Sequence, residues 1–166
     1  MEDNIKMKKI FESDRIDFVE VSELLINDYL VMVTAVENVE RCIGGMHAPY
    51  TEEQEIKWVR KKLEEQALVF SMIEKSTGEF IGNIELMNQD GSSRELGIAL
   101  TASKQNKGYG TEAVSAMVDY GLNQLGLKRI CLRAKPFNSR AIHVYSKCGF
   151  REYQRAEDHV FMEIIR

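Results

Sequence analysis

The stretch with the clearest chemical potential is Gln105-Asn106-Lys107-Gly108-Tyr109-Gly110-Thr111, which joins a strand-like segment to a helix-like one. Glycine at 108 and 110 lets the backbone run close to a ligand and turn its N–H groups outward. The helix that follows adds unpaired first-turn donors and the positive end of its dipole. Such a place suits an anion, and a phosphate or pyrophosphate above all. Two glycines also suit an ordinary tight strand-to-helix turn, so the surroundings must decide.

Two phosphate-binding patterns can be set against the loop. A P-loop requires GxxxxGK[ST], and no such string occurs. Residues 108–113 do fit the loose dinucleotide pattern GxGxxG/A, which expects an acidic residue about 20 positions on, at the end of the next strand. That strand ends Arg129-Ile130-Cys131-Leu132-Arg133-Ala134-Lys135, which is basic, so only an NADP-like dinucleotide survives. From Gly108 onward 59 residues remain, too few for a full doubly wound domain.

The elements around the loop alternate between strand and helix. Residues 15–21 alternate polar and apolar positions as a strand does. Ser22 can cap a helix to about Val36, with Leu24, Leu25, Leu30 and Val33 as its apolar positions, and Gly44, Gly45 and Pro49 then break the chain. Thr51 caps a second helix, with Glu52, Glu53 and Glu55 in its first turn and Ile56, Val59 and Leu63 as its stripe. Residues 67–75 and 79–89 read as strands about a Thr77-Gly78 turn, and Asp90-Gly91 marks a hairpin into a strand at 94–100. That strand turns Leu96, Ile98 and Leu100 to one side. Its other side carries Glu95, Gly97 and Ala99, and two residues that small leave room for a ligand. A helix from Gly108 to about Leu125 buries Val114, Met117, Val118, Leu122 and Leu125; a strand at 127–134 comes next. A short helix from Ser139 to about Lys147 stops at Gly149, and strands near 150–153 and 159–165 close the chain. The pattern is mixed α/β (α+β) in one domain spanning 1–166.

Composition bounds the function. With 44% hydrophobic and 29% charged residues the chain can bury a core, which excludes a disordered protein. A net charge of −4 argues against a nucleic-acid partner. The first 83 residues hold 10 Lys and Arg against 17 Asp and Glu, and the last 83 hold 12 against 9. That division suits an anionic ligand held by the second half and a cationic one received by the first. Cys42, Cys131 and Cys148 form no CxxC pair, and neither they nor His47 and His159 show metal spacing. No secretory h-region and no apolar run near the ~20 residues of a membrane span occur, so a cytoplasmic protein without a membrane partner is expected.

Taken together, these residues resemble the GNAT superfamily of N-acetyltransferases. The family signature for acetyl-CoA, Q/R-x-x-G-x-G/A, is matched by Gln105, Gly108 and Gly110. Residues 95–100 are similar to its splayed fourth strand. Asn138-Ser139-Arg140-Ala141-Ile142-His143-Val144-Tyr145-Ser146-Lys147-Cys148-Gly149-Phe150 is similar to its NxxAxxxYxKxGF motif. The closest branch is the one with ribosomal-protein N-terminal and polyamine acetyltransferases. The resemblance implies a mixed sheet of about six to seven strands, two of them splayed, flanked by about four helices.

It also implies a site. Acetyl-CoA would lie between the strands at 94–100 and 129–134. Ile98 and Leu100 would bond the pantetheine arm through their backbone. The pyrophosphate would take the N–H groups of Asn106, Lys107, Gly108, Tyr109, Gly110 and Thr111. Asn138 would contact the cofactor arm, and Arg140 would reach the phosphate end. Tyr145, a phenol with a reference pKa near ~10, would protonate the leaving thiolate. The same residue also fits a buried helix face with Ala141, Val144 and Cys148. The amine must lose a proton before attack, and Glu85 and Glu95 are the strand carboxylates able to take it. Direct transfer in a ternary complex is implied, with no metal. The acceptor is a primary amine: a protein N-terminus, a polyamine or another small cation. Asp28, Glu37, Glu40, Tyr29, His47, Tyr50 and Trp58 are candidates to receive it, whereas Glu52, Glu53 and Glu55 are explained by their helix start. A monomer or homodimer is expected. A non-catalytic acyl-CoA-binding regulator and an NADP-binding module remain the alternatives.

Overall fold

Apolar alternation builds a single mixed sheet in the computed structural model, which describes residues 7–34 and 50–166. Its strands are β1 (Lys9–Glu12), β2 (Ile16–Glu20), β3 (Leu68–Glu74), β4 (Phe80–Asp90), β5 (Ser93–Leu100), β6 (Arg129–Ala134), β7 (Arg151–Arg155) and β8 (Val160–Ile165). They lie in the order β1-β2-β3-β4-β5-β6-β8-β7. Eight strands exceed the six to seven expected. The addition is β1, four residues long and bulged between Lys9 and Phe11, too short for its alternation to register in the sequence. Phe11 fixes it in place by stacking on Phe18 (4.2 Å) and Tyr120 (4.3 Å).

Four helices cover the sheet among the described residues: α1 (Ile26–Thr34), α2 (Glu52–Glu64), α3 (Tyr109–Asp119) and α4 (Ser139–Lys147). Ser22 and Thr51 cap as the sequence predicts. Ser22 accepts from the Leu24 N–H and opens a 3-10 turn before α1, while Thr51 and Gln54 form a reciprocal capping box on α2. Positions 35–49, with the predicted breaks at Gly44, Gly45 and Pro49, lie outside the described residues. On one face Phe18, Phe70, Ile84 and Leu96 pack against Val114 and Met117 of α3 and Tyr145 of α4. On the other, Val19, Val69 and Ile73 pack against Tyr29 and Val33 of α1 and Val59 of α2.

Two predicted stripes are corrected. Leu125 is exposed because residues Tyr120–Gln124 form a π turn, which adds a residue to the turn and rotates the end of the helix off the sheet. Leu63, one residue before the end of α2, is exposed as well, while Val59 of the same predicted stripe is buried and Ile56 half-buried.

The feature that makes a site is the parting of β5 and β6. They are the sheet's parallel pair, and only Ser93↔Arg129, Arg94↔Ile130 and Glu95↔Cys131 are matched. Beyond these, β5 stays with β4 to Leu100 while β6 stays with β8. Gly82 holds the end of β5 to β4: a Cβ there would stand 2.0 Å from the Ala99 carbonyl oxygen. Among the described residues no helix is long and apolar enough to cross a membrane.

Candidate active site

One cavity lies over the start of α3. Gly108 is the N-cap at φ +83°, and no side chain caps the first turn. The first backbone bond of that turn runs from the Glu112 N–H to the Gly108 carbonyl (3.2 Å), so the donors of residues 109–111 are available to an anion. Arg140 shapes the loop from the α4 side. Its Nη1 donates to Asn106 Oδ1 (2.6 Å) and its Nη2 to Gln105 Oε1 (3.4 Å). Gln105 Nε2 in turn donates to the Leu100 carbonyl (3.2 Å). Asn138 caps α4, its Oδ1 accepting the Ala141 N–H (3.2 Å), which leaves its amide donors unused by the cap.

The cavity is about 340 Å³ and is lined by Ile98, Leu100, Gln105, Asn106, Gly108, Gly110, Thr111, Asn138 and Arg140. All nine are candidates from the sequence. Lys107 and Tyr109 do not line it. The Lys107 carbonyl accepts Arg15 Nη1, and the Tyr109 ring is buried beneath the Arg15 guanidinium. Val114, Ala141, His143, Val144 and Lys147 also line it. The sequence motifs do not single these out as ligand contacts, although positions 140, 144 and 147 share one helical face. Apolar walls with backbone donors and an arginine at one end fit a slender acyl carrier bearing phosphates, as coenzyme A is.

A second cavity, about 710 Å³, opens on the opposite face of the sheet. Tyr29, Tyr50, Glu55 and Trp58 line it from the helical side, and Asn83, Glu85, Glu95, Gly97 and Ala99 from β4 and β5. The small side of β5 therefore does make room, as expected. At Gly97 a Cβ would stand 2.8 Å from Met87 Cε and 3.6 Å from Glu85 Oε1. Tyr29 is anchored by a chain of hydrogen bonds. Its hydroxyl accepts the Ser22 N–H (3.1 Å) and lies 2.6 Å from Ser71 Oγ, which donates to Asn83 Oδ1 (2.7 Å).

The two candidate carboxylates are not equivalent. Burial pushes Glu85 above the usual carboxylate range, with the Lys62 charge opposing and the Glu95 charge adding to the shift. It makes no ion pair among the described residues. Glu95 is engaged by Arg133 Nε (3.2 Å) and Asn88 Nδ2 (2.8 Å). Glu55, assigned to its helix start by sequence, is instead buried at 9% exposure in the cavity wall, and burial pushes its carboxyl up. Glu52 and Glu53 are exposed, and Asp28 does not line the cavity. Glu37, Glu40 and His47 lie outside the described residues. The division of charge between halves is thus not what makes this cavity acidic, since Glu85 and Glu95 come from the positive half.

The cavities meet. Ile98, Ala99 and Tyr145 line both, at the gap where β5 and β6 part. Tyr145 is buried, its ring edge-on to Phe150 at 6.1 Å. Among the described residues no group of three His, Cys, Asp or Glu side chains could hold a metal.

Residues 15–151 match the model of the acetyltransferase (GNAT) domain. The chain belongs to the GNAT acetyltransferase family. This GNAT chain is 34% identical over 103 residues to an uncharacterized N-acetyltransferase, p20, of Bacillus licheniformis, covering 57% of this chain and 58% of that protein. It spans about three-fifths of the length of the curated relatives it matches. Its fold superposes on a GNAT-family acetyltransferase structure from Bacillus anthracis with a TM-score of 0.84 at 22% identity, covering 93% and 96% of the two chains. It also superposes on spermidine N-acetyltransferase from Vibrio cholerae in complex with CoA and spermine, with a TM-score of 0.79 at 19% identity over 92% and 96%. The mixed eight-stranded sheet with its flanking helices is therefore the GNAT fold.

Proposed function

We propose that this chain transfers an acetyl group from acetyl-CoA to a primary amine of a small polycation, the polyamine class, by direct attack with both substrates bound. The observation that carries this reading is the meeting of two cavities at Ile98, Ala99 and Tyr145. A thioester lying in the first cavity and an amine in the second would face each other through the gap, which supplies proximity without a covalent enzyme intermediate. Acidic and aromatic walls suit a cation with more than one charge. The likeness to a spermidine N-acetyltransferase holding CoA and spermine supports that class.

Glu85 takes a proton from the ammonium group, directly or through water. The amine nitrogen bonds to the thioester carbon, and the C–S bond breaks. Tyr145 gives its hydroxyl proton to the thiolate, and the nitrogen passes its second proton to the Tyr145 phenolate as the amide forms. Glu85 returns its proton to solvent, so the net products are the amide, the free thiol and one proton. Glu95, held by Arg133 and Asn88, is the alternative base.

Thiol release from acetyl-CoA, measured across polyamines, N-terminal peptides, aminoglycosides and amino acids, tests the reading. Turnover fastest with polyamines is expected. Preference for a peptide overturns the acceptor class, and coenzyme binding without turnover on any amine identifies a regulator. NADPH binding without acetyl-CoA binding overturns the whole reading. The Gly97→Val variant gives a second check on the acceptor side. Its side chain would intrude between Met87 and Glu85, so the acceptor KM should rise roughly tenfold or more while the acetyl-CoA KM stays put.

A further inference from the structure

We infer that Arg15 is a positioning residue for the anionic end of the coenzyme, acting from behind the loop that presents the backbone donors; the inference rests on the acetyl-CoA reading above. Arg15 lies in the turn between β1 and β2, about ninety residues away in sequence, and does not line the cavity. It nevertheless touches the middle of the loop, at residues 107–109, and the first turn of α3. Its Nη1 donates to the Lys107 carbonyl (3.2 Å), and its guanidinium lies over the Tyr109 ring, 4.3 Å from the centroid. Its backbone N–H donates to Glu112 Oε1 (2.9 Å) and its Nε to Oε2 (3.1 Å). Its Nη2 comes within 3.2 Å of where a Cβ would project from Gly108.

These contacts have two physical effects. Gly108 takes its positive φ freely, but Asn106 at φ +60° is a non-glycine residue in the left-handed region, a shape its surroundings must hold. Arg140 holds the cavity side through Asn106, and Arg15 holds the back through Lys107 and Tyr109. Lys104 and Glu74 continue that backing: the ammonium donates to Glu74 Oε2 (2.6 Å), and the Tyr109 hydroxyl hydrogen-bonds the same carboxylate. The second effect is electrostatic. Glu112 stands in the first turn of α3, where a carboxylate favours the helix but repels an incoming phosphate. Its side chain is only 17% exposed, and it accepts the Arg15 backbone N–H and Nε–H, so that the guanidinium sets a positive charge against it.

The test compares two donors: acetyl-CoA, and S-acetylpantetheine, which offers the same thioester without the nucleotide phosphates. In Arg15→Ala the acetyl-CoA KM should rise roughly tenfold, with kcat within about twofold and the S-acetylpantetheine KM unchanged. Adding Glu112→Gln to Arg15→Ala should recover part of the loss by removing the uncompensated carboxylate. If Arg15→Ala does not fold, Arg15→Lys keeps the charge without the fork and should show a smaller rise, again for acetyl-CoA alone. An unchanged acetyl-CoA KM in the folded variant, or an equal rise for both donors, overturns the inference and leaves Arg15 a fold contact. A wild-type chain that uses neither donor and does not bind CoA overturns the acetyltransferase reading itself.

Discussion

Tyr145→Phe is expected to lower kcat by roughly 100- to 10,000-fold, the usual worth of a positioned general acid, while coenzyme affinity stays within about twofold. The substitution removes one oxygen and leaves the ring where it packs, edge-on to Phe150 in a buried setting. A thermal melt of the variant checks that it still folds, which separates chemistry from folding. On the proposed mechanism the proton goes to a thiolate leaving at the gap between β5 and β6, where Ile98 and Ala99 also line both cavities. A donor thioester with a more acidic thiol should recover part of the lost rate, since its leaving group needs the proton less. Unchanged turnover in the variant would return Tyr145 to a plain core role.

The second large effect is on the base. Glu85→Gln should cost about 100-fold or more in kcat/KM and erase the acidic limb of its pH profile. The protonation state sets the sign. A carboxyl raised by burial is neutral over a wider acid range, so it works as a base only above its raised pKa, and wild-type activity climbs with pH through that value. Glutamine keeps the shape and cannot accept the proton. Raising the pH toward the ~10 of a free alkyl amine should then restore part of the rate, because solvent does the deprotonation instead. Glu95→Gln should cost less, since that carboxylate already accepts from Arg133 and Asn88.

Much of this is legible in the chain, for identifiable reasons. The glycine loop, the caps at Ser22 and Thr51 and the helix over Ser139–Lys147 are written in local residue types, so they stand in the structure nearly where the residues place them. The small face of β5 is legible because alternation has a fixed period, and its cavity lies where that face points. The features that escape depend on contacts distant in sequence. Glu55 looks like any acid at a helix start until α2 is laid over β4 and β5, where that position faces a cavity. Arg15 looks like a strand residue until the first hairpin is folded against α3. Leu125 keeps the helical period correctly, but a π turn within the helix changes the period before it is reached.

The matched residues at the base of β5 and β6 are only three pairs long, and they join a five-stranded plate to a three-stranded one. A continuous ladder would make the sheet a single stiff surface; this short seam makes it two leaves on a spine. Each leaf keeps an inner margin along residues 96–100 and 132–134 that no neighbouring strand occupies among the described residues. Strand margins on an outer rim invite foreign chains and aggregation. Turned toward each other inside one molecule, they form a slot whose width is set by the angle between the leaves. On the proposed function, the distance between the two bound substrates is therefore a mechanical property of the seam, set by how Ser93, Arg94 and Glu95 pair with Arg129, Ile130 and Cys131.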